Sequence, residues 1–157
     1  MISQVLFLLI GITSTSSSAV VFECPISLPE RGNIPERFKD YERGDYISRW
    51  VGTKALAARV PDRGYWTGMG SKSRFRDKWW WWREGYSATV ENYPDLKITG
   101  RRLDGGQEVL EQPFVTNAMG KGWDMILVLL EFPTAGCWEV YATYKDQSLR
   151  FMFEVGD

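Results

Sequence analysis

Phe132-Pro-Thr-Ala-Gly-Cys-Trp-Glu-Val-Tyr-Ala-Thr-Tyr144 and, after a short gap, Ser148-Leu-Arg-Phe-Met-Phe-Glu-Val155 decide the fold. Side chains on a strand alternate between faces, so residues two apart share a side. Trp138, Val140, Ala142 and Tyr144 form one apolar row, and Leu149, Phe151, Phe153 and Val155 form a second. Polar or charged residues stand between many of them, as in a sheet with one buried and one wet face. Both rows point inward if even positions pair with odd ones, for example Trp138 with Val155 and Tyr144 with Leu149. That pairing leaves the hairpin loop Lys145-Asp-Gln-Ser148. A slip of one residue would turn one row to solvent, so the register is expected to be firmly set. Ahead of the hairpin, Pro133 and Gly136 bracket a turn that delivers Cys137 and Trp138 into the sheet. Gly136 and Trp138 are therefore structural candidates.

Working outward, the other segments also read as short strands. Tyr46–Val51 and Ala55–Val60 flank Gly52-Thr-Lys54, and Pro61-Asp-Arg-Gly64 has turn chemistry. Residues 65–77 are glycine-rich and basic and read as a long loop without phosphate-loop spacing. Lys78-Trp-Trp-Trp-Trp-Arg83 follows; on a strand, Trp79 and Trp81 face one way and Trp80 and Trp82 the other. Leu96–Asp104 is the next strand, with Gly100 marking a bulge or a close backbone approach. Pro113–Asn117 reads as a short strand. Met125–Leu130 is a continuous apolar run between glycine and proline, as expected of a central strand covered on both sides. About seven to nine short strands with turn chemistry between them point to an all-β chain, an immunoglobulin-like antiparallel β-sandwich.

Composition sets limits on function. The 157 residues suit one domain, and 15% aromatic residues with eight Trp favour strands around a ring-filled core. Net charge is −1, which offers no footprint for nucleic acid or an anionic membrane. The chain has no histidine. Ser-His-Asp and Cys-His nucleophile systems, histidine metal ligands and a histidine pH switch are thereby excluded. Two cysteines are too few for a structural zinc site and the right number for one disulfide. No metal site and no cofactor is expected.

Residues 1–19 read as a secretory signal peptide, with an apolar core at Val5–Ile12 too short to span a bilayer and small residues at Ser17-Ser-Ala19. Residues 1–4 carry no Lys or Arg, unlike the usual leader, so an uncleaved anchor or a different start are the competing readings. Cleavage after Ala19 leaves an N-terminal arm, 20–45, ahead of the sandwich domain, 46–157, with no stable membrane insertion. The expected location is secreted, periplasmic or at the cell envelope. Export makes a Cys24–Cys137 disulfide the expected pairing. A closed loop of that length contributes about 4–5 kcal/mol in the chain-entropy model.

Leu96-x-Ile-x-Gly-Arg-Arg-Leu-Asp104, Phe132-Pro-x-x-Gly-Cys-Trp-Glu-Val140 and Ser148-Leu-x-Phe151 together resemble an uncharacterised family of secreted bacterial proteins. Trp81-Trp82-Arg83 and Cys24-Pro25 fit the same pattern. The resemblance covers roughly residues 78–155 and implies an exported immunoglobulin-like sandwich; it carries over no functional residue.

Three functions are weighed. The first is a non-catalytic exported sandwich acting through contacts with a protein partner. The second is a glycan-binding module, with Trp79, Trp80, Trp81 and Trp82 joined by Tyr65 and Trp66 as a stacking platform. The third is an enzyme of the glycosidase type, for which Glu84, Asp95, Asp104 and Glu111 are available acids, although no spacing singles out a pair and no catalytic residue is assigned.

Overall fold

The computed structural model describes residues 22–27, 48–61, 65–66, 75–120 and 123–156. The expected leader, 1–19, and most of the expected arm lie outside the described residues, as do the side chains of Tyr65 and Trp66. Nine strands and no helix make up the described chain: β1 (Ser48–Gly52), β2 (Ala57–Pro61), β3 (Tyr65–Trp66), β4 (Phe75–Trp82), β5 (Leu96–Arg102), β6 (Glu111–Gly120), β7 (Trp123–Phe132), β8 (Gly136–Tyr144) and β9 (Gln147–Val155). One sheet runs β1-β2-β4-β7-β6 and the other β3-β9-β8-β5. All pairings are antiparallel except the two-residue β3, which runs parallel to β9.

The two rows of the closing hairpin point where alternation puts them. Trp138, Val140, Ala142 and Tyr144 of β8 and Phe151, Phe153 and Val155 of β9 are buried in one core, with Leu149 packed at its margin. Trp79 and Trp81 of β4 and Ile126, Val128, Leu130 and Phe132 of β7 meet them from the other sheet. Rings interlock across the gap. Phe132 sits edge-on to Trp138 at 5.3 Å and to Phe153 at 5.2 Å, and Trp79 lies 5.0 Å from Phe153. β7 is covered on both faces, since Met125 and Leu129 on its outer side are buried as well.

The hairpin register has the expected parity but is shifted by two residues. Trp138 pairs with Phe153, and Tyr144 with Gln147, leaving only Lys145 and Asp146 in the loop. Lys145 adopts φ 55°, the left-handed conformation that a two-residue hairpin demands. The residue type hides that turn, because Lys is not a turn signal; its cost is offset by contacts described below.

Three other boundaries move. Part of the expected 65–77 loop is strand: Tyr65–Trp66 forms β3, and the tryptophan run belongs to a longer β4 that begins at Phe75. β6 extends beyond Pro113–Asn117 in both directions, with a register irregularity between Glu111 and Phe114 that accommodates the missing N–H of Pro113. Gly100 marks a close approach, because a Cβ there would lie 3.0 Å from both the Glu139 carbonyl oxygen and the Leu110 Cβ.

The arm is stapled at its start. Cys24 and Cys137 form a disulfide across a separation of 113 residues. Ser27 then pairs with β9, its N–H donating to the Met152 carbonyl at 2.8 Å and its hydroxyl accepting from the Met152 N–H at 2.9 Å. Among the described residues no helix is long and apolar enough to cross a membrane.

Candidate functional site

The tryptophan run is not an open platform. Trp79 and Trp81 are buried in the main core, and Trp82 is buried on the outer side of its sheet with Trp50, Ala57 and Met125. Trp80 is half-buried against that second cluster. Alternation along β4 explains the split, and the crowding of Trp50 and Met125 from β1 and β7 explains why the outward pair is covered too. A sugar cannot stack on a ring whose faces are already occupied. Trp81 also keeps a buried indole N–H without an acceptor, a cost of about 1–3 kcal/mol that marks it as packing rather than recognition.

The candidate acids are not gathered into a pair. Asp104 is held by Arg102 at 2.8 Å, Asp95 by Lys97 at 3.4 Å, Glu84 stands in an exposed turn, and Glu111 starts β6 opposite Glu131. Among the described residues no group of acids and cysteines could hold a metal ion.

Polar side chains concentrate at the two ends of the sandwich. At the disulfide end, Arg102 donates from Nε to Asp104 and reaches Glu108 and Thr134 with Nη1 at 3.4 and 3.3 Å. The other Asp104 oxygen accepts from the Cys137 N–H at 3.2 Å, and the Trp138 indole N–H donates to the Thr134 carbonyl at 3.1 Å. The Arg102 hydrogen bond is the main cause that holds the Asp104 carboxyl below its ordinary pKa. Gly136 sits against this cluster at φ 140°, where an added Cβ would come within 2.6 Å of Asp104 Oδ2 and 2.8 Å of Arg102 Nε. The structural role expected for Gly136 and Trp138 has its physical basis here. One oxygen of Glu108, Oε2, remains buried without a hydrogen bond.

At the opposite end, the 83–95 connection and the β8–β9 turn enclose a pocket of about 130 Å³, lined by Arg83, Gly85, Tyr86, Val90, Glu91 and their neighbours Tyr144 and Lys145. The connection is built by local bonds and anchored at three points. Val90 and Glu91 N–H groups turn back on the Ser87 carbonyl at 3.2 and 3.0 Å. The Ala88 N–H donates to Asp124 of β7 at 2.8 Å, Asn117 of β6 donates to the Asn92 carbonyl at 3.0 Å, and the Glu84 N–H donates to the Lys54 carbonyl at 2.7 Å.

Glu91 is the centre of the pocket. It accepts from the Tyr144 hydroxyl at 2.6 Å and from Lys145 Nζ at 2.7 Å. Burial pushes its carboxyl up, but the Lys145 and Tyr144 hydrogen bonds outweigh burial and leave it below the ordinary value. Tyr144 moves the other way, raised first by burial and then by its bond to Glu91; Tyr86 is pushed up to about 12, chiefly by burial. Both phenols therefore stay protonated at neutral pH and act as donors and aromatic walls. Arg83 and Lys145 lie over the Tyr144 ring at 5.5 and 5.1 Å. This clamp on Lys145 is what offsets its left-handed turn.

Arg83 is the unspent group. Its Nε makes a 3.4 Å bond to the Glu84 carbonyl, and its Nη1 is buried without any hydrogen-bond partner. With Lys145 neutralised by Glu91, the pocket carries one surplus positive charge. Val90 lines it at 87% exposure, and Tyr93, two residues after Glu91 on the same connection, is 89% exposed. Sequence reasoning missed this site because its residues are conventional one by one and Glu91 and Lys145 meet only through the fold.

No family model matches the chain, no curated protein is significantly similar to it, and no solved structure matches it.

Proposed function

We propose that this chain is an exported, non-catalytic sandwich that binds a protein partner through the end carrying the Arg83–Glu91–Lys145 pocket. The observation that carries the reading is the Arg83 guanidinium: a half-buried cation in a small pocket, with a donor that nothing in the protein satisfies. Among the described residues no carboxylate pairs with this half-buried cation, and a carboxylate on the partner meets the surplus charge from the pocket side, while Nη1 itself stays closed to solvent. A pocket of this volume suits one acidic side chain rather than an extended ligand. Val90 adds exposed apolar contact at its rim, and Tyr93, on the same connection, is an exposed aromatic of the type enriched among interface anchors.

The strand order supports an immunoglobulin-like reading. β2, β4, β7 and β6 stand as strands A, B, E and D, and β9, β8 and β5 as G, F and C, with β1 as an added edge. The pocket then lies between the B–C and F–G connections, the end at which antibody variable domains carry recognition loops. That likeness is one of fold and adds weight only because the pocket is there. The disulfide departs from the B–F bridge of antibody domains, tying the arm to strand F instead. It is compatible with an extracellular or periplasmic location, and together with the leader-like segment 1–19 it supports export. A non-catalytic role is supported by the lack of histidine, which excludes the histidine-based nucleophile systems. No observation favours the glycan-binding alternative once three of the four Trp rings are buried.

The test is capture of envelope proteins on the oxidised chain, comparing wild type with Arg83→Gln and Tyr93→Ala and with Lys97→Ala on the outer face of β5 as control. Loss of the same bound protein in the first two, and not in the third, is the expected result. Capture that is indifferent to both loop-end changes, or a turnover activity abolished by changing one acid, overturns the reading. N-terminal sequencing of exported protein should begin at Val20.

A further inference from the structure

The outer N–H and C=O groups of an edge strand are a template for another strand, and folded proteins usually blunt them with charge, brevity or cover. Two edges of this molecule are covered. β5 is capped by the following segment: the Leu110 N–H donates to the Gly100 carbonyl, and Gln112 bonds the Ile98 N–H at 2.6 Å and the Leu96 carbonyl at 2.9 Å. β9 is flanked by Ser27 at Met152 and by β3 at Glu154 and Val155. β1 is only five residues long.

β6 is different. It has ten residues and ends its sheet, and among the described residues no backbone group of another segment pairs with the outer side of residues 113–120. From Gln112 to Gly120 it contains no charged residue, and Phe114 and Met119 are 42% and 63% exposed. Its side-chain links to the rest of the fold are Gln112 to β5, at its start, and Asn117 to Asn92.

We propose that β6 is the interface of a two-fold homodimer, pairing antiparallel with β6 of a second copy around Thr116. A two-fold axis sets a strand against its own reverse, so any charge in the strand constrains the register. Thr116 is the midpoint of the uncharged stretch 112–120, and centring there aligns that stretch wholly on itself. Phe114 then faces the partner's Ala118, a large residue opposite a small one on the same side of the sheet. Pro113, which cannot donate, falls opposite the partner's Met119 near the end of the ladder, where a missing bond costs least. A second copy is the occupant because it brings the same uncovered, uncharged edge, and both edges are satisfied in one contact. The area buried by edge pairing is below that of a standard interface, so the dimer is concentration-dependent rather than permanent. This inference is independent of the pocket at the loop end.

Sedimentation velocity on the oxidised protein tests it, with Thr116→Lys and Thr116→Glu. Wild type should shift from monomer toward dimer across a series reaching millimolar concentration. Each variant sets two like charges face to face at the axis and should stay monomeric; mixed one to one, they should form a heterodimer. Wild type that remains monomeric throughout, variants that dimerise like wild type, or a mixture that stays monomeric each overturn the proposal. Amide hydrogen exchange of unaltered protein at low and high concentration gives a second readout. Protection must rise with concentration in 113–120, and protection that rises elsewhere or nowhere overturns the proposal even if the variants fail to fold.

Discussion

The two ends of the sandwich are built from the same materials and put to different use. Each has an arginine, carboxylates and a buried aromatic from β8. At the disulfide end, Arg102 is spent on Asp104, Glu108 and Thr134, and Asp104 in turn holds the Cys137 backbone beside the bridge. No room remains there: a single added methyl at Gly136 would strike the cluster. At the loop end, Glu91 is shared by Tyr144 and Lys145, and Arg83 is left over beside an open pocket. Both ends keep one buried polar atom unpaired, Glu108 Oε2 and Arg83 Nη1, but among the described residues only the loop end combines a cation without a carboxylate partner with a space beside it. Substitutions at the first end should therefore register in stability, and substitutions at the second in binding.

The largest effect is expected from Cys137→Ser, which releases the arm. Under oxidising conditions the unfolding free energy should fall by about 4–5 kcal/mol, less any native strain. Under reducing conditions the variant and wild type should coincide, and a variant as stable as oxidised wild type would show that the bridge contributes nothing. Gly136→Ala comes next, at about 3 kcal/mol in a urea titration, because it combines a left-handed φ with a clash against Arg102 and Asp104.

Tyr144→Phe crosses the boundary between the ends' roles. It removes a hydrogen bond to an ionised carboxylate, worth about 1.5–3 kcal/mol, and leaves the core ring in place. Its pH signature is more telling than its size. Glu91, Asp104 and Glu139 all have folded pKa values below their ordinary ones. Groups depressed by folding contribute stability above their unfolded pKa and lose it as pH falls through the folded value. Wild type should thus weaken progressively below pH 4.5, the ordinary value for Glu91, and Tyr144→Phe should make that fall shallower. An unchanged slope would mean that Tyr144 does not hold Glu91 ionised. Arg83→Gln should not destabilise the domain, because losing a cation–π contact of about 0.5–1 kcal/mol is offset by removing a buried donor that costs about 1–3 kcal/mol, although it should abolish partner binding. A large loss of stability there would make Arg83 a structural residue like Arg102.

Legibility in the sequence follows the same division. The closing hairpin, the central β7 run and the disulfide were readable because burial imposes a two-residue period and because two cysteines after a leader-like start are expected to pair. The hairpin register was readable only to its parity, since Lys145 takes a left-handed turn that nothing in its residue type announces. The tryptophan run invited a surface role because four adjacent rings exceed what one face can bury. What covers the outward pair is Trp50 and Met125, residues from strands with no visible relation to β4 in the chain. The pocket was illegible for a related reason: Glu91 lies on a connection with no period, and its partners follow 53 and 54 residues later. Charges that meet through topology leave no spacing to read.

Nuclear magnetic resonance of the arginine Nε–H groups, followed as acetate is titrated into the oxidised protein, tests the contrast between the ends most directly. The account expects the Arg83 resonance, identified by its absence from the spectrum of Arg83→Gln, to move saturably with acetate and to respond less to phosphate. Arg102, already committed to Asp104 and Glu108, should not move. An Arg83 signal indifferent to acetate, or one that moves no further than Arg102, would contradict the assignment of recognition to the loop end.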